Sequence, residues 1–133
     1  MDKLLFGTAG IPMSTKVPNT INGIRQVKIL NLDAMELEFV RSINISKEAA
    51  PIVRKEAQLN NVALTCHAPY FINLNSDDNA KLAASRQRIT QSAKIAYLCG
   101  CYSVTFHAAF YQKREKEKTY ARVKENIKII LRE

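Results

Sequence analysis

Glycine and proline are scarce in this sequence, four of each in 133 residues, which excludes collagen-like and linker-rich chains. No apolar run approaches the ~18 residues that a membrane span needs, so the expectation is a soluble protein with no membrane partner. A secretory leader is also missing. Met1-Asp2-Lys3-Leu4-Leu5-Phe6-Gly7 enters a strand-like run with no basic region, long apolar stretch or small-residue cleavage site, and the expected location is cytoplasmic. Cysteine is limited to Cys66, Cys99 and Cys101, an odd count that argues against a disulfide framework and for reduced thiols. Cys99 and Cys101 flank Gly100 at an expected helix C-terminus, where packing explains them more simply than metal binding. What is plentiful is apolar residue, 47% of the chain, as in a packed globular domain. Positive charge is plentiful too. Twenty Lys and Arg against 12 Asp and Glu leave a formal net charge of +8, which permits a polyanionic partner such as nucleic acid.

Strand-like and helix-like segments alternate along the chain. Lys3 to Ala9 reads as a first strand, ended by Gly10 and Pro12, and a helix fits Thr20 to Asn31, with Asn19 or Thr20 as its cap and Ile21, Ile24, Val27 and Lys28 on one face. Ala34 to Val40 alternates apolar and acidic side chains as a strand does. Ser46 then suits an N-cap for a helix carrying Ala49, Ile52, Val53 and Ala57. Val62 to His67 is a third strand. The loop Ala68 to Asp78 leads to a long helix with Leu82, Ile89, Ala93, Ala96 and Tyr97 expected on its buried stripe. Ser103 to His107 is a fourth strand, and a closing helix repeats Tyr120, Val123, Ile127, Ile130 and Leu131 at spacings of three and four. Such alternation implies a parallel sheet joined by right-handed crossovers, an α/β fold. No low-complexity segment divides residues 1–133, so one domain is expected. Periodicity does not separate an open doubly wound sheet from part of a barrel. The charged run Lys113-Arg114-Glu115-Lys116-Glu117-Lys118 reads as a solvated helix start more readily than as a phosphate patch.

The two histidines of the chain, His67 and His107, each end an expected strand. In parallel α/β proteins the C-terminal strand ends gather at one face, where sites are built, so two neighbouring strands would present two imidazoles side by side. Imidazole is a common zinc ligand and a general acid or base near neutral pH. The competing explanation is that each histidine caps its strand through a backbone carbonyl. Cys66 points to the opposite face from His67 and cannot easily join it. Glu36 and Glu38 share one face of their strand, either as part of a polar mouth or paired with basic side chains of a neighbouring unit. Tyr70 and Phe71 lie in an apolar loop that either stacks on nucleic-acid bases or folds over the core.

Particular stretches carry a resemblance. His67-Ala68-Pro69-Tyr70-Phe71-Ile72-Asn73-Leu74-Asn75 and Phe106-His107 resemble the segments after the third and fourth strands of the endonuclease IV family. The opening Phe6-Gly7-Thr8-Ala9-Gly10-Ile11-Pro12 and the segment from Asp33 to Arg41 resemble its archaeal members, so the likeness runs over the whole chain. It departs after His107, where Ala108-Ala109 stands in place of the family's usual Pro-Gly.

The resemblance implies the first half of a TIM (β/α)8 barrel, with four parallel strands in the order 1-2-3-4 and helices outside; a complete barrel is typically ~250 residues. It implies a zinc-dependent DNA-repair enzyme that hydrolyses the phosphodiester 5′ to abasic sites in double-stranded DNA. In it His67 and His107 would be ligands of one zinc in a multinuclear site, and Tyr70, Phe71 and Arg41 would contact DNA. The remaining Asp, Glu and His ligands would lie beyond Glu133, leaving the site incomplete and the 133-residue segment inactive by itself. Two other readings are a metal-dependent sugar isomerase or epimerase on a related barrel, and a non-catalytic nucleic-acid-binding module. Four strands leave two unpaired edges and an open, apolar interior face, so self-association of two half-barrels is also expected.

Overall fold

The structure is a computed structural model that describes residues 4–132; the expected strand start at Lys3 lies outside the described residues. Its elements alternate throughout: β1 (Gly7–Ala9), α1 (Thr20–Ile29), β2 (Ala34–Glu38), α2 (Ala50–Asn60), β3 (Ala63–His67), α3 (Asn79–Cys99), β4 (Val104–Thr105) and α4 (Lys116–Ile130). The strands form one sheet in the order β1-β2-β3-β4, and every pairing is parallel. This is the α/β arrangement of four consecutive βα units in barrel order, with no reversal of the kind that a doubly wound sheet requires.

Local chemistry explains most element ends. Asn19 caps α1, its side-chain oxygen accepting from Asn22 N at 2.8 Å, and Asp78 caps α3 by accepting from the amides of Ala80 and Lys81. Asn61 and Gly100, both in the left-handed region, end α2 and α3. Ser46 does not cap α2 directly. Its hydroxyl accepts from Ala49 N at 3.2 Å in a turn that precedes the helix, and Pro51 occupies the first helical turn. Gly7 has a packing reason: a Cβ there would overlap the Ala34 carbonyl oxygen on the paired strand.

Strand alternation sorts the two faces of the sheet. Met35, Leu37, Leu64 and Cys66 point one way and are buried with Ile24 and Val27 of α1, Val53 and Ala57 of α2, and Ile95, Ala96 and Cys99 of α3. Helices α1 to α3 therefore cover the same face. A second cluster of Ala68, Ile72, Leu74 and Ile89 is flanked by Val123, Ile127 and Ile130 of α4. The opposite face carries Ala34, Glu36, Glu38, Ala63, Thr65 and His67, all half-buried. It is small and polar rather than apolar, which corrects the expected apolar interior.

Several helical faces also differ from expectation. Lys28, Ile52, Ala93, Tyr97, Tyr120 and Leu131 are exposed. On α3 the buried stripe is Ser85, Ile89, Ser92, Ile95, Ala96 and Cys99, and on α4 the buried residues are Thr119 and Asn126. Small or polar residues are buried on both helices, Ser85 and Asn126 against the loop after β3, so counting only apolar side chains rotates the inferred face. The fourth strand ends at Thr105, so His107 lies in the loop that follows it rather than in the strand.

Candidate functional site

Register places the site. Glu38, His67 and Thr105 are aligned across β2, β3 and β4, so His67 stands at the C-terminal end of its strand and His107 follows Thr105 on the same side. The two imidazole rings lie 5.1 Å apart between centroids. Tyr70 completes the group, its ring 5.4 Å from that of His67 and 5.6 Å from that of His107. His67 is half-buried, whereas His107 and Tyr70 are exposed.

One hydrogen bond defines what His67 can do. Its Nδ1 lies 2.8 Å from the Ala68 carbonyl oxygen, which can only accept, so Nδ1 bears the proton. The Nε2 lone pair is then left available to a metal ion or a proton. A backbone carbonyl holding the other ring nitrogen is the usual support for a metal-ligating histidine. The capping explanation therefore applies to His67, and the same carbonyl bond leaves it in the tautomer that ligation would need. Among the described residues no group of three or more His, Cys, Asp or Glu has metal-holding geometry.

The cysteines stay out of the site. Cys66 faces the helix layer, and burial, aided by Cys99 and Glu36, pushes its thiol up to about 12. Burial raises Cys99 to about 11 and Cys101, beside Cys66 and Cys99, to about 12. Neutral, desolvated thiols of this kind suit packing against the helix layer.

Glu36 and Glu38 share the inner face with Thr65 and His67, and neither forms an ion pair among the described residues. The Glu38 carboxylate leans toward Gly10, where an added Cβ would sit 3.4 Å from Oε2. Arg41 is exposed and lines an open concavity with Ser42, Ile43, Pro69, Arg88 and Gln91.

The apolar loop after β3 divides its side chains. Ile72 and Leu74 are fully buried over the core, while Tyr70 and Phe71 remain 47% and 63% exposed. Tyr70 and Phe71 therefore do not fold over the core, whereas Ile72 and Leu74 of the same loop do. Sequence reasoning missed the polar residues that hold the loop. Asn75 is fully buried, and its Nδ2 donates to the Phe110 and Tyr111 carbonyls at 2.9 and 3.2 Å. Asn73 Oδ1 accepts from the amides of Asn75 and Phe110, and Leu74 N donates to Ala108 O at 2.8 Å. Asp77 is paired with Arg114 and Arg122. The loops bearing the two histidine motifs are thereby tied to one another, and the available signal was two asparagines in an otherwise apolar loop.

Residues 24–133 match the family described as xylose isomerase-like TIM barrel. An uncharacterised protein of Methanocaldococcus jannaschii is 38% identical over 128 residues, which is 96% of this chain and 45% of that protein. The structure is similar to endonuclease IV from Thermus thermophilus, with a TM-score of 0.73 and 18% identity over 97% of this chain and 46% of that one. It is equally similar to a D-psicose 3-epimerase with D-tagatose from Clostridium cellulolyticum, with a TM-score of 0.74 and 15% identity over 97% of this chain and 48% of that one. At such identities the two structures share the fold. The chain spans about half the length of the proteins it matches.

Proposed function

The chain belongs to the xylose isomerase-like TIM barrel family, and from that premise we propose that residues 1–133 form one unit, the N-terminal half of a zinc-dependent DNA-repair endonuclease of the endonuclease IV type. The proposed reaction of the complete protein is hydrolysis of the phosphodiester 5′ to an abasic site in double-stranded DNA, in the cytoplasm. The observation that carries it is the cluster of His67, His107 and the exposed Tyr70 at the strand C-termini, with all three ring centroids within 5.6 Å of one another.

The residues present fit part of a zinc site. His67 has its Nδ1 proton held by Ala68 O and its Nε2 lone pair available, and the His107 ring is its neighbour, so these two would hold one ion. Two imidazoles are fewer than the three protein ligands that a catalytic zinc normally keeps, and the rest are assigned to the second half of the barrel. Zinc would supply Lewis acidity that stabilises charge building on the phosphate oxygens. The chain's own contributions are to fix the His67 tautomer, to hold Tyr70 and Phe71 where they can enter a duplex beside a lesion, and to attract the backbone with a net charge of +8. Arg41, exposed and lining a concavity with Pro69, would contact the DNA backbone.

A sugar epimerase reading is supported by the equal likeness to D-psicose 3-epimerase. It leaves the exposed aromatic loop and the basic charge without a role, since a small sugar binds in a closed mouth. The deciding experiment gives the complete protein a duplex with a single abasic site, and separately a ketohexose, each with and without chelator. Cleavage of the duplex that is lost with chelator supports the endonuclease; epimerisation without cleavage refutes it. For the 133-residue chain alone we propose absent or very slow cleavage, and pairing of two copies through the open β1 and β4 edges. Because the inner face is polar, backbone hydrogen bonding rather than apolar burial would drive that pairing.

A further inference from the structure

The loop after β4 is the part of the chain where the endonuclease IV resemblance breaks, and its backbone is closely tied down. Phe110 and Tyr111 are 63% and 56% exposed, while the backbone beneath them is held at four points. Phe110 N donates to Asn73 Oδ1 at 3.3 Å, Asn75 Nδ2 donates to both carbonyls, and Arg114 N donates to Tyr111 O at 2.9 Å. Burying Asn75 completely has a cost, because its Oδ1 is left without a partner. The result is a rigid backbone under two wet aromatic rings. Directly after them Gln112 and Lys113 both adopt positive φ, 51° and 63°, a conformation that non-glycine residues hold only where their surroundings impose it.

An aromatic pair with free rings and a fixed backbone is preorganised for a flat partner, since little freedom remains to be lost on contact. The surrounding charge says which partner. Within Lys113 to Lys118, Arg114 is paired with Asp77 and Lys118 with Glu115, whereas Lys113 and Lys116 have no ion-pair partner among the described residues. Two exposed aromatic side chains successive in sequence, followed by lysines without ion pairs among the described residues, suit a nucleic-acid strand, rings for the bases and cations for the phosphates.

We propose that Phe110 and Tyr111 form a second base-stacking platform beside the histidine site, with Lys113 and Lys116 taking the phosphates of the same strand. The proposal rests on the reading of the site as one that handles nucleic acid, and it adds a substrate-contacting loop to Tyr70 and Phe71. Stacking is tolerant of sequence, so the platform would grip unpaired or splayed bases beside a lesion with no preference among them.

The test uses the 133-residue chain and a short single-stranded oligonucleotide carrying 2-aminopurine, whose fluorescence falls when the base stacks. Affinity is measured in parallel by anisotropy. Wild-type chain is expected to bind and alter the 2-aminopurine signal. The double variant Phe110→Ala/Tyr111→Ala should bind at least about tenfold more weakly, with the signal change lost. Lys113→Ala/Lys116→Ala should keep the signal at saturation but reduce the slope of log affinity against log salt. Both sets of side chains are exposed, and circular dichroism of each variant verifies the fold. Unchanged affinity and signal in the aromatic double variant overturn the proposal, as does failure of the wild-type chain to bind; rings reserved for another part of a longer polypeptide would give that second result. The endonuclease reading fails separately. If the complete protein leaves an abasic duplex uncut while oligonucleotide binding still depends on Phe110 and Tyr111, the platform stands and the proposed reaction does not.

Discussion

Asn75 offers the sharpest test of how the site loops are held. Truncation by Asn75→Ala removes two hydrogen bonds, to Phe110 O and Tyr111 O, worth about 0.5–1.5 kcal/mol each. Tyr111 O keeps the Arg114 amide, so only the Phe110 carbonyl must find water. The vacated space adds a cavity cost, but the orphaned Oδ1 disappears with the side chain and returns about 1–3 kcal/mol. The net destabilisation expected is about 1–2 kcal/mol, or roughly 3–10 °C in Tm for a chain of this size. Asn75→Asp keeps the shape and inverts the chemistry. It replaces the donor by an oxygen facing two carbonyl oxygens and buries an unpaired charge, at about 3–5 kcal/mol. The introduced carboxyl should have a raised pKa, so this variant regains stability as pH falls, when the protonated group can donate to one carbonyl. Thermal melts followed by circular dichroism at pH 5 and pH 7, with hydrogen exchange at residues 108–111, give the answer. An Asn75→Asp variant as stable at neutral pH as Asn75→Ala would refute the reasoning.

Three further outcomes are expected. His107→Ala in the complete protein should lower zinc content and abasic-site cleavage together; elemental analysis showing unchanged zinc would count against the ligand assignment. The Cys66 thiol is raised by burial from its ordinary 9.0 to about 12, so the stability of its neutral form is complete below pH 9 and is lost as pH rises toward 12. Cys66→Ala should therefore flatten the alkaline fall in Tm, and in the native chain Ellman's reagent should react slowly at Cys66 and Cys99 until denaturant is added. The Asp78 carboxylate is held below its ordinary 3.8 chiefly by the Lys81 amide, against the opposing effect of burial and with help from the Ala80 amide. Its contribution is present above that pH and is lost as pH falls through the depressed value, so the Tm gap between wild type and Asp78→Ala should be constant near neutrality and close in acid.

The sequence by itself determined the order of elements, Asn19 as a candidate cap of α1, and the placing of His67 and His107 side by side at neighbouring strand C-termini, although His107 falls just past its strand. These are local properties: apolar period, capping side chains and the last residue of a strand are written within a few neighbours. It also placed Cys66 on the face away from His67, because alternation follows from the strand alone. Only the tertiary structure decided the rest. The buried faces of α3 and α4 turn on Ser85, Ser92, Thr119 and Asn126, small or polar residues whose burial depends on what packs against them. The order β1-β2-β3-β4, which rules out a reversal, is set by crossovers between strands about 30 to 40 residues apart and leaves no trace in periodicity. Asn75 holding a loop 35 residues later, and Glu36 and Glu38 lying without ion pairs among the described residues on a polar inner face, are likewise matters of which distant backbone folding brings alongside. A side chain's type states what bonds it can make; the fold decides which of them it makes.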